Sequence, residues 1–296
     1  METLVSTTED PHPSPLPEYR ERENSHEFAV DVDDSAAIRH HPRSPRVAHS
    51  LRALGKSGLP PTLALSGERY HLMRTIKHDF FAATGLYRDD AGRQVVLKVG
   101  RIEPFAGISL KWVGWLLRHR ELHFYRKLAD LPNVPRVLGT VGDTGFVMQY
   151  VEGRPLADQG HVPDRFFDDL LALVHEIHRR DMAYVDTNKP QNILIGADGK
   201  PHLIDFQISW DTDRLGDWWW NRWVVRHLQR DDLYHLTKHK RRRRPDELTP
   251  ADRQLLERKS AFIRIHRVLS KPYFLMRRRI FNRLRKTGRL LPEGSK

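Results

Sequence analysis

Cysteine is absent from all 296 residues, so neither a disulfide framework nor a thiolate metal site is available to the chain. Such a composition suits a reducing cytosol. No apolar run approaches the roughly 20 residues of a membrane-spanning helix. The first ten residues, METLVSTTED, are acidic and lack the apolar core of a secretory signal. Apolar residues make up only 39% of the chain, and most of the shortfall lies near the start. There Pro, Ser, His and alternating charge predominate, as in Pro11-His12-Pro13-Ser14-Pro15 and His41-Pro42-Arg43-Ser44-Pro45. So few apolar side chains cannot offset the entropy of ordering, and residues 1–60 are expected to form a disordered tail.

What the chain has in excess is positive charge, a formal +12, concentrated after about residue 220 in Lys238-His239-Lys240-Arg241-Arg242-Arg243-Arg244 and Arg277-Arg278-Arg279. Runs of this kind suit nucleic acid, anionic lipid or an acidic substrate, or form a solvated face. Tryptophan is the second excess, in Asp217-Trp218-Trp219-Trp220-Asn221-Arg222-Trp223 and in Leu110 to Arg118. Trp interleaved with Arg fits a membrane interface, where indoles sit at headgroup depth and guanidinium meets lipid phosphate. The competing expectation is that these indoles pack the larger lobe. Phe274 to Leu284 has the composition of an amphipathic surface helix. Stacking on single-stranded nucleic acid would use the same residue types, but no nucleic-acid motif accompanies them.

Between these flanks the pattern is that of a folded domain. Tyr70 to Phe80, Ala83 to Tyr87 and Gln94 to Val99 read as strands, the last two joined by the turn signal Asp89-Asp90-Ala91-Gly92. The Trp-rich segment Leu110 to Leu117 leads into a helix over Arg118–Leu131, with Leu122, Tyr125 and Leu128 at helical spacing, and Pro132 to Pro135 stops it. Val137 to Val141 and Gly145 to Tyr150 follow as strands. Phe167, Leu170, Leu171, Val174 and Ile177 mark one buried face of a second helix. A loop with Asp186 then leads to the strand Asn192–Ile195, a turn at Ala197-Asp198-Gly199-Lys200, and a returning strand ending at Asp205-Phe206. The rest is helical in propensity.

A loop aspartate, an Asn opening a short strand and an Asp closing the returning strand bring Asp186, Asn192 and Asp205 toward one point. Hard oxygen ligands of this kind suit Mg²⁺. The stretch Leu173 to Phe206, LVHEIHRRDMAYVDTNKPQNILIGADGKPHLIDF, resembles the catalytic loop and metal-binding hairpin of the protein-kinase-like superfamily. It is closer to the bacterial lipopolysaccharide-kinase and RIO-type branches than to eukaryotic signalling kinases. The resemblance implies that Asp186 is the catalytic base and that Asn192 and Asp205 are metal ligands. Asp205-Phe206-Gln207 stands where the family often has Asp-Phe-Gly. From Asp186 to Asn192 is six positions, one more than the usual loop, so the loop bulges or the register shifts by one. Lys189 is then placed to steady the transferred phosphoryl group. Val185 stands where kinases switched by activation-loop phosphorylation have arginine, so no such switch is expected. His178-Arg179-Arg180-Asp181 matches the catalytic triplet by letters only, and lies at a helix end.

Upstream, Val95-Val96-Leu97-Lys98 resembles the small-lobe strand whose lysine pairs the α- and β-phosphates. Glu121, in Glu121-Leu122-x-x-Tyr125-x-x-Leu128, is the partner the resemblance implies. No Gly-x-Gly-x-x-Gly precedes Lys98; the equivalent loop, Lys77 to Gly85, has a single glycine, and Lys77 is a candidate phosphate contact. Met148 to Gly153 looks like the hinge, with backbone groups at Gln149 and Val151 meeting adenine.

Together these imply an α+β, two-lobed protein-kinase-like fold: a small antiparallel-sheet lobe with one main helix (61–149), a mostly helical large lobe (150–296) and the tail. The implied activity is transfer of the γ-phosphate of ATP, with Mg²⁺, to a hydroxyl of a protein Ser/Thr or a lipopolysaccharide-core sugar. The alternatives are a catalytically weak pseudokinase that binds nucleotide or a partner, and, less favoured, a nucleic-acid-binding protein. The expected location is cytoplasmic, with an anionic inner membrane surface as a candidate partner.

Overall fold

β-branched and aromatic residues in alternation build a sheet from the first half of the folded region. In the computed structural model residues 51–257 are described, except Ala106, Gln159 and Leu215. Residues 1–50, Arg277-Arg278-Arg279 and the helix expected over Phe274 to Leu284 lie outside them. The strands are β1 (Thr62–Leu65), β2 (Glu68–His78), β3 (Ala82–Asp89), β4 (Gln94–Gly100), β5 (Val137–Val141) and β6 (Gly145–Gln149), with helix α1 (Lys111–Lys127) between β4 and β5. They form one antiparallel sheet in the order β1-β2-β3-β4-β6-β5. The β3–β4 turn falls on the expected signal: the Asp89 carboxylate accepts from the Arg93 N–H at 2.7 Å, and Gly92 takes a positive φ of 86°.

Two expectations are corrected here. The tail does not extend to residue 60, because Ala53, Leu54 and Leu59 are buried, and the latter two join Leu63, Tyr70, Tyr87, Leu97 and Val147 in one apolar cluster. Helix α1 begins at Lys111 rather than Arg118 and ends at Lys127 rather than Leu131. The Trp-rich segment has no proline and is itself the first half of the helix. At the other end, successive turns bond Leu131 N–H to the Leu128 carbonyl and Val134 N–H to that of Leu131, burying Leu128 and Val134. Gly114 lets α1 approach the sheet: a Cβ there would lie 2.3 Å from the Arg101 carbonyl oxygen.

The second half comprises β7 (Gly153–Pro155), α2 (Phe166–Arg179), β8 (Met182–Ala183), β9 (Ile193–Gly196), β10 (Pro201–Leu203), β11 (Trp210–Asp211), α3 (Trp219–Arg243) and α4 (Pro250–Glu257). The short strands pair as β10-β9-β7 and β11-β8. The apolar face of α2 is buried through Phe167, Leu170, Val174 and Ile177, while Leu171 is only partly covered. The main core runs from Tyr125 of α1 and Phe146 of β6 through α2 to Phe206 and Leu236. Each such side chain, fully buried, contributes about 1.5–3 kcal/mol. The α+β class, the small sheet lobe with its single helix and the mostly helical remainder are as expected.

Part of the basic run at the end of α3 is structural. Lys240 is buried and pairs with Asp252 at 3.2 Å, and Arg244 pairs with Asp164, Asp246 and Glu247 at 2.8 Å each. Lys238, Arg241 and Arg242 remain exposed. Among the described residues no helix is long and apolar enough to cross a membrane.

Candidate active site

Lysine in the middle of a sheet is costly unless its charge is answered. Lys98 lies in β4, between β3 and β6, and its ammonium is shared by two carboxylates. The Nζ donates to Glu121 Oε1 at 2.7 Å and to Asp205 Oδ1 at 2.8 Å. Glu121 comes from α1, where it sits one turn before Tyr125, and is 1% exposed. Asp205 follows β10 in a left-handed conformation (φ 64°), its N–H donating to the Tyr125 hydroxyl at 3.2 Å. The next residue, Phe206, is wedged edge-on between Tyr125 and Tyr184, both ring centroids 5.1 Å away. That wedge fixes the direction in which the Asp205 side chain leaves the backbone.

The charges of this group depend on one another. Burial works against the Lys98 ammonium, but Glu121 and Asp205 outweigh it and hold its pKa above the ordinary lysine value. Burial also works to raise the Asp205 carboxyl, yet the neighbouring Lys98 charge and hydrogen bond keep it below the usual aspartate range. At Glu121 burial prevails over the pull of Lys98, and the carboxyl is pushed up to about 7.

A second group forms on the loop after β8. Asp186 is 2% exposed; its Oδ2 accepts from Asn192 Nδ2 at 2.7 Å and from Lys189 Nζ at 2.8 Å. Two short 3-10 turns, Asp186–Asn188 and Pro190–Asn192, take up the extra residue in the six-position spacing and bring Asn192 back onto Asp186. Asp186 Oδ1 is buried without a hydrogen-bond partner. Burial is the largest influence on this carboxyl and raises its pKa above 3.8, with the Asp205 charge adding to it and Lys189 and Asn192 opposing it. A buried carboxylate oxygen without a partner, near a second carboxylate, suits contact with a cation or an acceptor hydroxyl.

Sequence reasoning missed what holds this loop. Val185, a β-branched residue, has φ 69° and ψ −35°, a conformation that side chains of its shape rarely adopt. Asp232 of α3, 1% exposed, compensates. Its Oδ1 accepts from Val185 N–H at 2.8 Å and Thr187 Oγ1 at 3.0 Å, and its Oδ2 from Tyr184 N–H at 2.8 Å. His178 Nε2 lies 3.2 Å from the same Oδ2. The pattern gives no clear signal: the buried residues of α3 are Asn221, Val225, Asp232, Leu236, Thr237 and Lys240, a mixed face on which a carboxylate does not stand out.

The remaining expected residues lie farther out. Lys77, at the end of β2, is mostly exposed and pairs with Asp79 at 2.7 Å, and its charge reaches Asp205 and Glu121. Gln149 ends β6 with its N–H donating to the Arg136 carbonyl at 2.9 Å. Gln149 and Val151 line a hollow with Pro135, Ala197 and His202 that includes none of Lys98, Glu121 and Asp205. Asp181 takes a positive φ of 51° in the turn after α2, and its carbonyl accepts from Thr212 N–H. A separate group, His123, Asp211 and Asp213, is bridged by Lys127, whose Nζ is 3.3 Å from Asp211 and 2.7 Å from Asp213.

No family model and no curated protein matches the sequence. Among solved structures the chain is similar to the Rio2 kinase of Chaetomium thermophilum in its ADP/Mg²⁺-phosphoaspartate complex, at TM-score 0.46 and 20% identity over 60% of this chain and 57% of that one. A second structure of that Rio2 kinase aligns at TM-score 0.44 and 20% identity, over 59% of each chain. The BubR1 kinase domain aligns at TM-score 0.45 and 16% identity, over 63% of this chain and 66% of that one. The chain thus spans less than two thirds of the Rio2 chains it matches, and the likeness fixes no activity.

Proposed function

We propose that the chain is an ATP- and Mg²⁺-dependent phosphotransferase that carries the γ-phosphate to an acceptor hydroxyl. The observation that carries this reading is the Lys98 ammonium shared between Glu121 and Asp205 at 2.7 and 2.8 Å, with Asp205 within charge range of Asp186. Phosphoryl transfer needs positioning and charge more than covalent chemistry, and these residues supply both. Lys98, held by Glu121, is the cation for the α- and β-phosphates. Asp205 and the free side-chain oxygen of Asn192 are the donors for Mg²⁺, which when bound neutralises charge on the transferred group. Asp186 receives the acceptor's proton, and Lys189 offsets negative charge beside it. Lys77 is an outer phosphate contact, and backbone groups at Gln149 and Val151 are the adenine contacts. Nucleotide would then lie between the regions 61–149 and 150–296.

The acceptor is a protein Ser/Thr or, in keeping with the resemblance to the lipopolysaccharide-kinase and RIO-type branches, a core sugar hydroxyl. The basic, Trp-rich flank leans toward the glycolipid, at the cytoplasmic side of a membrane. One observation favours a second reading, a pseudokinase that binds without transfer: the β2–β3 loop, Asp79 to Phe81, has no glycine, and Lys77 at the end of β2 is engaged by Asp79.

The test is labelled ATP with Mg²⁺ against protein and lipopolysaccharide fractions, beside Mg²⁺-ADP binding by calorimetry. Asp186→Ala should lower transfer by about 10²–10⁴-fold and leave nucleotide affinity near the parent value. Nucleotide binding without transfer supports the pseudokinase reading. Failure to bind nucleotide at millimolar magnesium refutes the phosphotransferase and leaves, of the pseudokinase reading, only a module that binds a partner; tight salt-sensitive binding of RNA or DNA that survives Asp186→Ala would put a nucleic-acid-binding protein in their place.

A further inference from the structure

Tryptophan is well buried on average in folded proteins, yet six of the seven in this chain are exposed: Trp112, Trp115, Trp218, Trp219, Trp220 and Trp223. They do not pack the larger lobe. The densest group is Trp218-Trp219-Trp220 at the start of α3, where Trp219 is 80% exposed and Trp218 64%.

The turn that presents these indoles is built rather than frayed. Asn221 is fully buried; its Nδ2 donates to the Gly216 carbonyl at 2.9 Å and its Oδ1 accepts from Trp210 Nε1 at 2.8 Å. The Asp217 carboxylate takes both ends of the Arg222 guanidinium. The segment is fastened to α1 in turn, through Arg120 Nη2 donating to the Ser209 carbonyl at 2.6 Å and the Arg120 guanidinium 5.2 Å from the Trp210 ring. Helix α1 exposes Trp112, Trp115 and Leu116, and Ile208 is exposed beside Ser209.

Charge selects the partner. From 214 to 230 the exposed charged side chains include Arg214, Arg222, Arg226 and Arg230, whereas Asp217 is taken by Arg222 and the preceding Asp213 by Lys127. A second copy docked on the same face would set cations against cations. We infer that this face docks on an anionic lipid bilayer, with the Trp218–Trp220 indoles at headgroup depth and Arg226 and Arg230 on lipid phosphates. The inference is independent of the phosphoryl-transfer reading.

The test uses the full chain with phosphatidylcholine vesicles, alone or with phosphatidylglycerol, and reads co-sedimentation together with quenching of tryptophan emission by brominated lipid. Binding should require the anionic lipid, and brominated chains should quench the wild-type emission. Trp218→Ser/Trp219→Ser should weaken partitioning about tenfold or more, and Arg226→Glu/Arg230→Glu by at least about tenfold. Both variants alter exposed side chains and should melt with the parent protein. Equal binding to neutral and anionic vesicles overturns the inference. So does binding without quenching that the tryptophan variant leaves unchanged, because the basic segments alone would then suffice. Absence of vesicle binding, with self-association in sedimentation that the tryptophan variant abolishes, would make this face a contact between copies and also overturn it.

Discussion

Removing the Asp232 carboxylate tests the claim that α3 holds the Asp186 loop in shape. Asp232→Ala takes the acceptor from two backbone N–H groups at 2.8 Å and from the Thr187 hydroxyl at 3.0 Å, all within a buried site. Each buried donor left without a partner costs about 1–3 kcal/mol. The losses are not additive, because a relaxing loop finds some compensation, so a total of about 4 kcal/mol is reasonable. Against a typical total stability of about 5–15 kcal/mol this is a large share. For a folded region of this size it lowers the melting temperature by about 8–16 °C. Asp232→Asn keeps one acceptor oxygen but turns an N–H₂ toward donors, and should cost about half as much. The strain at Val185 gives a second readout. Released from Asp232, Val185 should leave its positive φ and carry Asp186 with it, so transfer falls more than Mg²⁺-ADP affinity does. The assay is thermal and urea denaturation of both variants beside calorimetric ADP binding and phosphoryl transfer. A loss under about 1 kcal/mol in Asp232→Ala, the scale of a surface substitution, would refute the reasoning.

Three further outcomes follow from the geometry. Lys98→Met leaves Glu121 and Asp205 buried without their shared cation, and should cost about 3–5 kcal/mol in urea denaturation, whereas Glu121→Gln, which keeps an acceptor for Lys98, should cost clearly less; equal losses would show that the ion pair is not what matters. Transfer should rise with pH as Asp186 deprotonates, with its acid limb above 3.8, and because the Lys189 charge favours the carboxylate, Lys189→Met should move that limb to higher pH; a shift to lower pH in the rate profile would contradict the assignment. Gly114→Ala places a Cβ 2.3 Å from the Arg101 carbonyl oxygen, so α1 must move, with a loss of about 1–3 kcal/mol and weaker ADP binding through Glu121; a melting temperature equal to the parent's would refute the close approach.

Legibility in the sequence followed the range of the interactions. The β3–β4 hairpin was readable because Asp89, Gly92 and Arg93 settle it among themselves. The α2 helix was readable because Phe167, Leu170, Val174 and Ile177 repeat at helical spacing. The start of α1 was misplaced because Trp112 and Trp115 do not follow the pattern of a buried face; both are exposed. The last ten residues of the expected tail were misjudged because three apolar side chains, Ala53, Leu54 and Leu59, gain their value only from a sheet formed downstream.

Local pattern determined the β3–β4 hairpin and the α2 helix, and the order in which an ammonium, a glutamate, a loop aspartate, an asparagine and a final aspartate follow along the chain. Neighbours a few residues apart fix φ, ψ and facing, so that information survives in one dimension. Lys98 and Asp205 are 107 residues apart, and only packing brings them to 2.8 Å. The same holds for Asp232 beneath the loop, for the return of Asn192 to Asp186, and for which indoles stay in solvent. Each depends on a distant surface arriving at the right place, and no spacing within a single segment encodes that arrival.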